Sequence, residues 1–475
     1  MSQKKQNAMR YGTMLNQCAG PLVHLVYTND ELNSLRYYKG AVDQIVLQEG
    51  KTQKQDFYSI PNAYEVLNML LYPGISNEQS RIINEKRQIP DEMLDYMPEI
   101  LKEYEDLATA IYKYTYSLPE KAAVKVHRFD REDSLTVLKQ GENTAFMSAT
   151  LAPDLPYFHE KKGLILEEIE APVMVEHIDV NEVLGQESDL AEEKEILFPP
   201  FLRLQLEQIE LNELEKSFKD FDGNPPVGKY LVRILGSGTE LIHVSNAADY
   251  EEKLESLRVH ILSGAETDNA RKILNAMRAG QTVESKQEAM YLAWKNAIQT
   301  YVRLVFCKAK SAIYQEKSTL LRKMALFQNE LNCALTTNNT YRKLYSRYVE
   351  TTGIIISICG ALVTFCLALS FVDNEIFAMI VKITGLMLSC ISLISSGICK
   401  SKVWEGKLKQ RTYTYLKLDE LYRDLRYEGV MNTEILEAYL KRYKEIINAD
   451  NSYCEKNIEY VIDYLDSLYE DQSST

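Results

Sequence analysis

Three short segments hold the residues whose types and spacing best suit chemistry. The segments, in chain order, are 124–128 with Arg128, 146–150 with Ser148 and Thr150, and 193–200 with Glu193 and Glu195. An arginine side chain presents a planar fork that matches a pyrophosphate. A fixed carboxylate stabilises positive charge that develops beside it in a transition state. We therefore expect a site that holds an anionic dinucleotide and stabilises positive charge on its ribose.

The elements that must position these residues follow from the proline distribution and the hydrophobic periodicity. All 13 prolines lie at or before Pro226, which favours mixed structure before that point and long helices after it. Periodic apolar residues predict helices over 62–72 and 91–117. Strands are predicted over 123–129, 144–150, 163–169, 172–178, 195–198, 201–209 and 229–235. Helices followed by a run of strands indicate an α+β domain with a mostly antiparallel sheet.

The three segments, in this order on strand-like sequence, resemble the arginine–serine–glutamate signature of the mono-ADP-ribosyltransferases. Phe146-x-Ser148-x-Thr150 is similar to the family's Phe-x-Ser-Thr-Ser motif, and Glu193-x-Glu195 is similar to its Glu-x-Glu motif. The resemblance covers about residues 20–245. It implies a split sheet of mixed and antiparallel strands behind N-terminal helices. It also implies NAD as the substrate and no metal.

The resemblance assigns a role to each matched residue. Glu195 is the catalytic carboxylate and grips a ribose hydroxyl, while Glu193 serves an arginine acceptor. The residues expected to bind NAD are Arg128, Ser148, Thr150 and Phe146. Taken singly, an arginine such as Arg128 is more often a strand-end surface charge, and an acidic run such as 187–195 is usually a solvated surface.

Composition excludes several other classes of function. A net charge of −14 argues against sequence-independent nucleic-acid binding, which needs excess lysine and arginine. The eight cysteines and six histidines show no spacing typical of metal ligands. Free thiols in a reducing compartment are the expected state of the cysteines.

Two apolar stretches, 352–372 and 376–399, are each long enough to cross a bilayer core as a helix. Basic residues flank the pair, which predicts a hairpin with both flanks, and both termini, in the cytoplasm. Residues 315–445 are similar to the SLATT type of bacterial two-helix membrane effector. That resemblance implies the bacterial inner membrane and a homo-oligomer formed through these helices. A buried hairpin in a soluble core is the alternative.

The sequence thus divides into four predicted parts. These are a catalytic domain over 1–245, a helical connector over 246–350, the hairpin over 351–400, and amphipathic helices with a polar tail over 401–475. Breaks are expected at Gly264, at Gly280 and at 336–339, and amphipathic helix is expected again over 403–447. The predicted function is a membrane-anchored transferase that modifies a protein arginine, in a toxin or defence role. A pore-forming effector with a transferase-like nucleotide sensor is the alternative.

Overall fold

The computed structural model describes most of the chain and places it in two compact units. The described residues are 22–40, 63–72, 91–118, 123–152, 162–172, 175–185, 194–237, 247–279, 281, 283–369, 375–400 and 403–450. One unit comprises Val23–Ser318, and the other includes Thr319–Thr475. Each unit is described separately below.

Helices surround the sheet of the first unit. Their bounds are α1 (Asn29–Lys39), α2 (Ala63–Leu71), α3 (Met97–Ser117), α4 (Leu135–Leu138), α5 (Val180–Leu184), α6 (Ala247–Ile261), α7 (Gly264–Arg278) and the first part of α8 (Ser285–Leu369). Helix α1 begins at a capping box, in which Thr28 and Glu31 each accept the other's backbone N–H. It ends at Gly40, whose φ of 81° suits the left-handed conformation of a helix C-terminus.

An eight-stranded mixed sheet forms the centre of this unit. Its strands are β2 (Val124–Arg131), β3 (Glu142–Asn143), β4 (Met147–Thr150), β5 (Leu164–Ala171), β6 (Ile178–Asp179), β7 (Glu195–Phe198), β8 (Leu202–Ile209) and β9 (Gly228–Ser237); the two-residue strand β1 (Leu22–Val23) precedes them in the chain. The strand order is β3-β8-β9-β5-β2-β4-β7-β6. The pair β5 and β9 is parallel, and the other described pairs in this sheet are antiparallel.

The sheet is weakest where β2 meets β4. Within the described residues, these strands share a single registered pair, His127 with Thr150. In contrast, β2 runs beside β5 over eight pairs, from Val124 opposite Ala171 to Arg131 opposite Leu164. The strands therefore part beside Arg128 on one side and Ser148 on the other.

One apolar cluster fixes the register of the strands on both sides of this junction. Val126, Met147, Ala149, Ile169 and Phe198 are members of the cluster, and each is at most 5% exposed. Burying such side chains contributes about 1.5–3 kcal/mol each. A shift by one residue would turn every one of them toward the other face, so the register is strongly specified.

The second unit is helical. It contains the rest of α8, followed by α9 (Glu375–Lys400), α10 (Val403–Tyr427), the two-residue strand β10 (Val430–Met431) and α11 (Thr433–Ala449). Arg411 on α10 pairs with Asp450 at 2.9 Å and donates to Asn338 on α8 at 2.8 Å. The side chains of Arg411 and Asp450 are 8% and 0% exposed, so this ion pair ties three segments together in the interior.

In the described part of the chain, two helices are long and apolar enough to cross a membrane, namely α8 and α9. Their apolar windows are only 6% and 11% buried, so they do not form the buried core hairpin that the alternative required. The helices approach closely at Gly385, where an added Cβ would lie 3.2 Å from Cβ of Cys366.

Most predicted elements are confirmed, including the helices over 62–72 and 91–117 in their described parts and six of the seven strands. In its described part, 172 and 175–178, the strand over 172–178 is wrong, because there only Ile178 pairs with β7. The break over 336–339 is also wrong. Thr336 and Asn338 donate to the carbonyl oxygens four residues back, so their side chains bond along the helix and do not interrupt it.

The remaining helical predictions concern the breaks at Gly264 and Gly280 and the helical region over 403–447. The break at Gly264 is confirmed, while Gly280 lies outside the described residues. The helical prediction over 403–447 is confirmed, and the region consists of two helices, since α10 ends at Tyr427 and α11 starts anew at Thr433. Asn432 caps α11 by accepting the backbone N–H of Ile435 at 2.8 Å, which a continuous helix would not allow.

Candidate functional site

The centre of the candidate site is a hydrogen bond between two adjacent strands. The Ser148 hydroxyl on β4 donates to Oε1 of Glu195 on β7 at 2.5 Å. Ser148 lies opposite Leu197 in the register, so Glu195 is its diagonal neighbour on the same face. The two residues come from segments 47 positions apart in the sequence, and antiparallel pairing brings them together.

Thr150 stands directly opposite Glu195 in the same strand pair. It is 8% exposed, and its hydroxyl accepts the backbone N–H of Ala152 at 2.9 Å. This hydrogen bond fixes the chain where it leaves β4. Thr150 therefore shapes the wall beside the carboxylate.

A lysine from α1 reaches the second oxygen of the carboxylate. Lys39 Nζ lies 3.5 Å from Oε2 of Glu195, and the two side chains are 1% and 9% exposed. Lys39 also donates to Oδ1 of Asn181 on α5 at 2.7 Å, and that same oxygen accepts the backbone N–H of Glu195 at 3.4 Å. Sequence reasoning missed Lys39 and Asn181.

Tyr38, beside Lys39 on α1, connects the helices to the site. Its hydroxyl accepts from Asn68 on α2 at 3.3 Å, and Asn68 in turn accepts the backbone N–H of Phe146 at 3.0 Å. Burial raises the pKa of Tyr38 far above its ordinary value, and the charge of Glu195 raises it further, while Arg128 acts in the opposite direction. The charges of both Glu195 and Arg128 therefore act on the Tyr38 phenol.

Phe146 is a core side chain. It is 3% exposed, and its ring lies 5.5 Å from that of Tyr38, 6.2 Å from that of Tyr104 and 5.9 Å from that of Phe306. Its backbone positions Asn68 and, through it, Tyr38. Any effect of Phe146 on a ligand is therefore transmitted through this packing.

Arg128 belongs to a second group of charges, on β2 and β5. Its guanidinium forms an ion pair with Asp130, and Glu167 stands opposite Arg128 in the strand register. Burial acts to lower the pKa of Arg128, but Asp130 and Glu167 outweigh it and raise that pKa above its ordinary range. The Arg128 side chain remains 23% exposed, which leaves part of it accessible to a ligand.

Glu167 is a buried carboxyl group whose oxygens accept no hydrogen bond from the described residues. The residue is 1% exposed. Burial raises its pKa from 4.5 to about 7, with Asp130 adding to the rise and Arg128 opposing it. Below about pH 7, the protonated form of Glu167 therefore leaves Arg128 balanced by one carboxylate, that of Asp130.

Arg128 and Ser148 lie on opposite faces of the sheet. Val126 and Ala149 share the apolar cluster, and side chains alternate along a strand, so Arg128 projects on the cluster's face and Ser148 on the other. The single registered pair between β2 and β4 separates the two positions. The structure thus brings Ser148, Thr150 and Glu195 together and sets Arg128 across the junction.

The segment before Glu195 has an unusual backbone. Lys194 has a φ of 45°, a left-handed conformation that is unfavourable for a residue with a Cβ. Its carbonyl accepts the N–H of Leu151, at 3.1 Å, which ties this strained residue to the end of β4. Glu193 lies outside the described residues. Strain of this kind concentrates at functional sites.

No cluster of three or more potential metal ligands occurs in the described part of the chain. Comparisons with models of known families, with curated proteins and with solved structures gave no match.

Proposed function

We propose that the chain is a membrane-anchored mono-ADP-ribosyltransferase that uses NAD as its substrate and modifies an arginine of a protein. The hydrogen bond from Ser148 to Glu195 carries the proposal. It fixes the nearly buried carboxylate of Glu195 through a serine on the neighbouring strand, and these are two of the three residues matched to the arginine–serine–glutamate signature.

The proposed reaction breaks the bond between the ribose and nicotinamide, and the electron pair leaves with nicotinamide. Positive charge then develops on the ribose, where the fixed carboxylate of Glu195 stabilises it. A guanidinium nitrogen of the acceptor attacks the same carbon and releases a proton, for which Glu193 is the proposed base. Water in place of the acceptor gives free ADP-ribose.

The charges across the junction suit the rest of the ligand. Arg128 has the planar fork that pyrophosphate prefers, and part of its side chain is accessible. Because Arg128 and Glu195 lie on opposite sides of the parting strands, a dinucleotide that contacts both would lie across that gap. Pyrophosphate must compete with Asp130 for the guanidinium.

The experiment is to incubate the full-length protein in detergent with NAD that carries a label on its adenylate part. Wild type should transfer label or consume NAD, and Glu195→Gln should lower the rate on the order of 10²-fold or more. Glu176→Gln is the matched control, because Glu176 is also a buried carboxylate, 5% exposed, with a lysine 2.8 Å away. Equal NAD loss in wild type and Glu195→Gln would remove the enzymatic proposal.

The membrane part of the proposal rests on the exposed apolar surfaces of α8 and α9. An 18-residue helix spans about 27 Å, close to the thickness of a bilayer core. We expect the protein to stay in the membrane pellet after a carbonate wash at high pH, with both flanks facing the cytoplasm. Release into the supernatant would contradict this anchoring.

The same exposed helices favour a second candidate, an oligomeric pore. Dye leakage from vesicles that contain the Glu195→Gln protein discriminates between the two. Leakage that persists in this variant, without NAD turnover by wild type, would favour the pore. Turnover without leakage would favour the transferase.

A further inference from the structure

Glu195 is almost sealed from water, which poses a problem for its proposed role. Its side chain is 9% exposed, and burial disfavours the charged form of a carboxyl group. A protonated Glu195 would be neutral and could not stabilise a positive charge on the ribose. The site therefore needs a feature that keeps this carboxyl ionised.

Lys39 provides that feature. We propose that Lys39 is a positioning residue of the reaction, whose ammonium group keeps Glu195 ionised and oriented in the buried site. This inference rests on the proposed function. The ammonium lies 3.5 Å from Oε2, while Ser148 occupies Oε1, so each oxygen of the carboxylate has its own partner.

The surroundings of the pair support this assignment. Asn181 accepts from Lys39 at 2.7 Å and thereby fixes the ammonium, which is itself 1% exposed. Further ionisable groups around the pair include the Tyr38 phenol, on which Glu195 acts, and Arg128 on β2, which acts on the same phenol. Glu182 on α5 is engaged by the hydroxyl of Tyr114 at 2.5 Å. Lys39 is thus a cation in ion-pair contact with Glu195.

Helix α1 gives Lys39 its fixed position. Lys39 is the last residue of the helix, and Gly40 ends it in the left-handed conformation. At the other end, the Thr28–Glu31 capping box sets where the helix begins. Lys39 therefore enters the site from a rigid element, as a positioning group should.

The first experiment measures kcat/KM for NAD against pH. An opposite charge within about 4–6 Å lowers a carboxyl pKa by about 1–3 units. Lys39→Met should therefore move the acidic limb of the profile upward by about 1–3 pH units, so that its loss of activity relative to wild type grows as pH falls through the limb and is least at pH 8. Lys39→Arg should return the acidic limb to its wild-type position.

A second buried pair supplies the matched control. Lys113 on α3 lies 2.9 Å from Oε1 of Glu31, with side chains 9% and 6% exposed, and it contacts the same helix α1 at its other end. Lys113→Met should lower stability without moving the acidic limb. An unmoved limb in Lys39→Met, or a limb moved equally by Lys113→Met, would overturn the inference.

The second experiment does not depend on turnover. The melting temperatures of wild type, Lys39→Met, Glu195→Gln and the double variant form a cycle at pH 7. We expect Lys39→Met to melt at the lowest temperature and the double variant to recover, because the neutral amide no longer leaves a buried charge unpaired. Failure of Lys39→Met to fold, with a folded double variant, is the strongest form of the same result.

The two experiments separate the two proposals. Additive changes in melting temperature, or a double variant that fails to fold alongside Lys39→Met, would refute the ionic link between Lys39 and Glu195. A coupled cycle in a wild-type protein that turns over no NAD would leave the ionic link standing, but would refute both the transferase and the role of Lys39 in it.

Discussion

Replacing Glu167 by glutamine should change how the stability of the first unit depends on pH. Glu167 is 1% exposed, and its oxygens have no hydrogen-bond partner among the described residues. Burial raises its pKa from 4.5 to about 7. The folded protein therefore holds a proton on this carboxyl over a pH range in which the unfolded chain has lost it.

The sign and size of the effect follow from this difference. Between pH 4.5 and 7 the folded state binds more protons at Glu167 than the unfolded state, so the free energy of unfolding falls as pH rises. The contribution is present below pH 4.5 and is lost as pH rises through 7. A difference of roughly 2.5 units corresponds to about 3 kcal/mol between pH 4 and pH 8.

The assay is urea unfolding of the full chain in detergent, followed by tryptophan fluorescence. The chain has two tryptophans, Trp294 and Trp404, so a Trp404→Phe background leaves Trp294, which is 0% exposed in the first unit, as the reporter. The free energy of unfolding of Glu167→Gln, measured relative to this background, should rise by about 3 kcal/mol from pH 4 to pH 8. Because the prediction concerns the difference between the two pH values, any pH-independent cost of the glutamine side chain cancels.

The neighbouring Glu168 provides a control of opposite sign. Burial acts to raise its pKa, but Lys125 at 2.5 Å and Lys229 at 3.1 Å lower it below its ordinary value. Its contribution is therefore present at neutral pH and lost as pH falls through the depressed pKa. Glu168→Gln should destabilise the protein at pH 8 and have little effect at low pH. If both variants shift the pH dependence in the same direction, the reasoning from burial and partners is refuted.

Four further substitutions test other parts of the structure. Ser148→Ala should lower kcat for NAD turnover by roughly tenfold to hundredfold, the range for partners that orient a functional side chain, with Ser237→Ala in the buried β9 as the unaffected control. Lys194→Gly should raise the free energy of unfolding by about 1 kcal/mol in a urea titration, because its φ of 45° favours glycine. Gly385→Leu should cost about 1–3 kcal/mol in thermal unfolding, whereas Gly360→Leu, where an added Cβ meets nothing within 4 Å, should cost little. Arg411→Met should cost about 3–5 kcal/mol by leaving Asp450 buried without its cation, and the added change Asp450→Leu should recover most of the loss.

The strands that carry the candidate site were predictable because their sequence signals are local. Strand β7 begins and ends where the apolar segment 195–198 does, and β8 follows the alternation of 201–209. The segment 172–178 failed because apolar composition does not by itself supply a hydrogen-bonding neighbour. In the described part of that segment, only Ile178 found one, on β7.

Lys39 illustrates a contact that sequence reasoning could not supply, on a helix that was not among the predicted ones. The capping box of Thr28 and Glu31 and the terminal Gly40 mark both ends of α1 in the sequence. Its buried face is rich in polar and charged side chains, including Arg36 and Lys39, so the apolar periodicity is weak. That Lys39 meets a carboxylate 156 positions later depends on the tertiary packing of α1 against α5 and β7.

The two main charges of the candidate site are each balanced before any ligand arrives. Lys39 balances Glu195, and Asp130 balances Arg128. A dinucleotide that enters this site must therefore exchange partners at both charges, and it gains little from simple long-range attraction. Protonation of Glu167 removes one competing negative charge beside Arg128, so an anion should bind more tightly below pH 7 than above it. In the proposed transferase, protonation of Glu195 at low pH opposes this trend, so we expect NAD turnover to fall on both sides of a pH optimum.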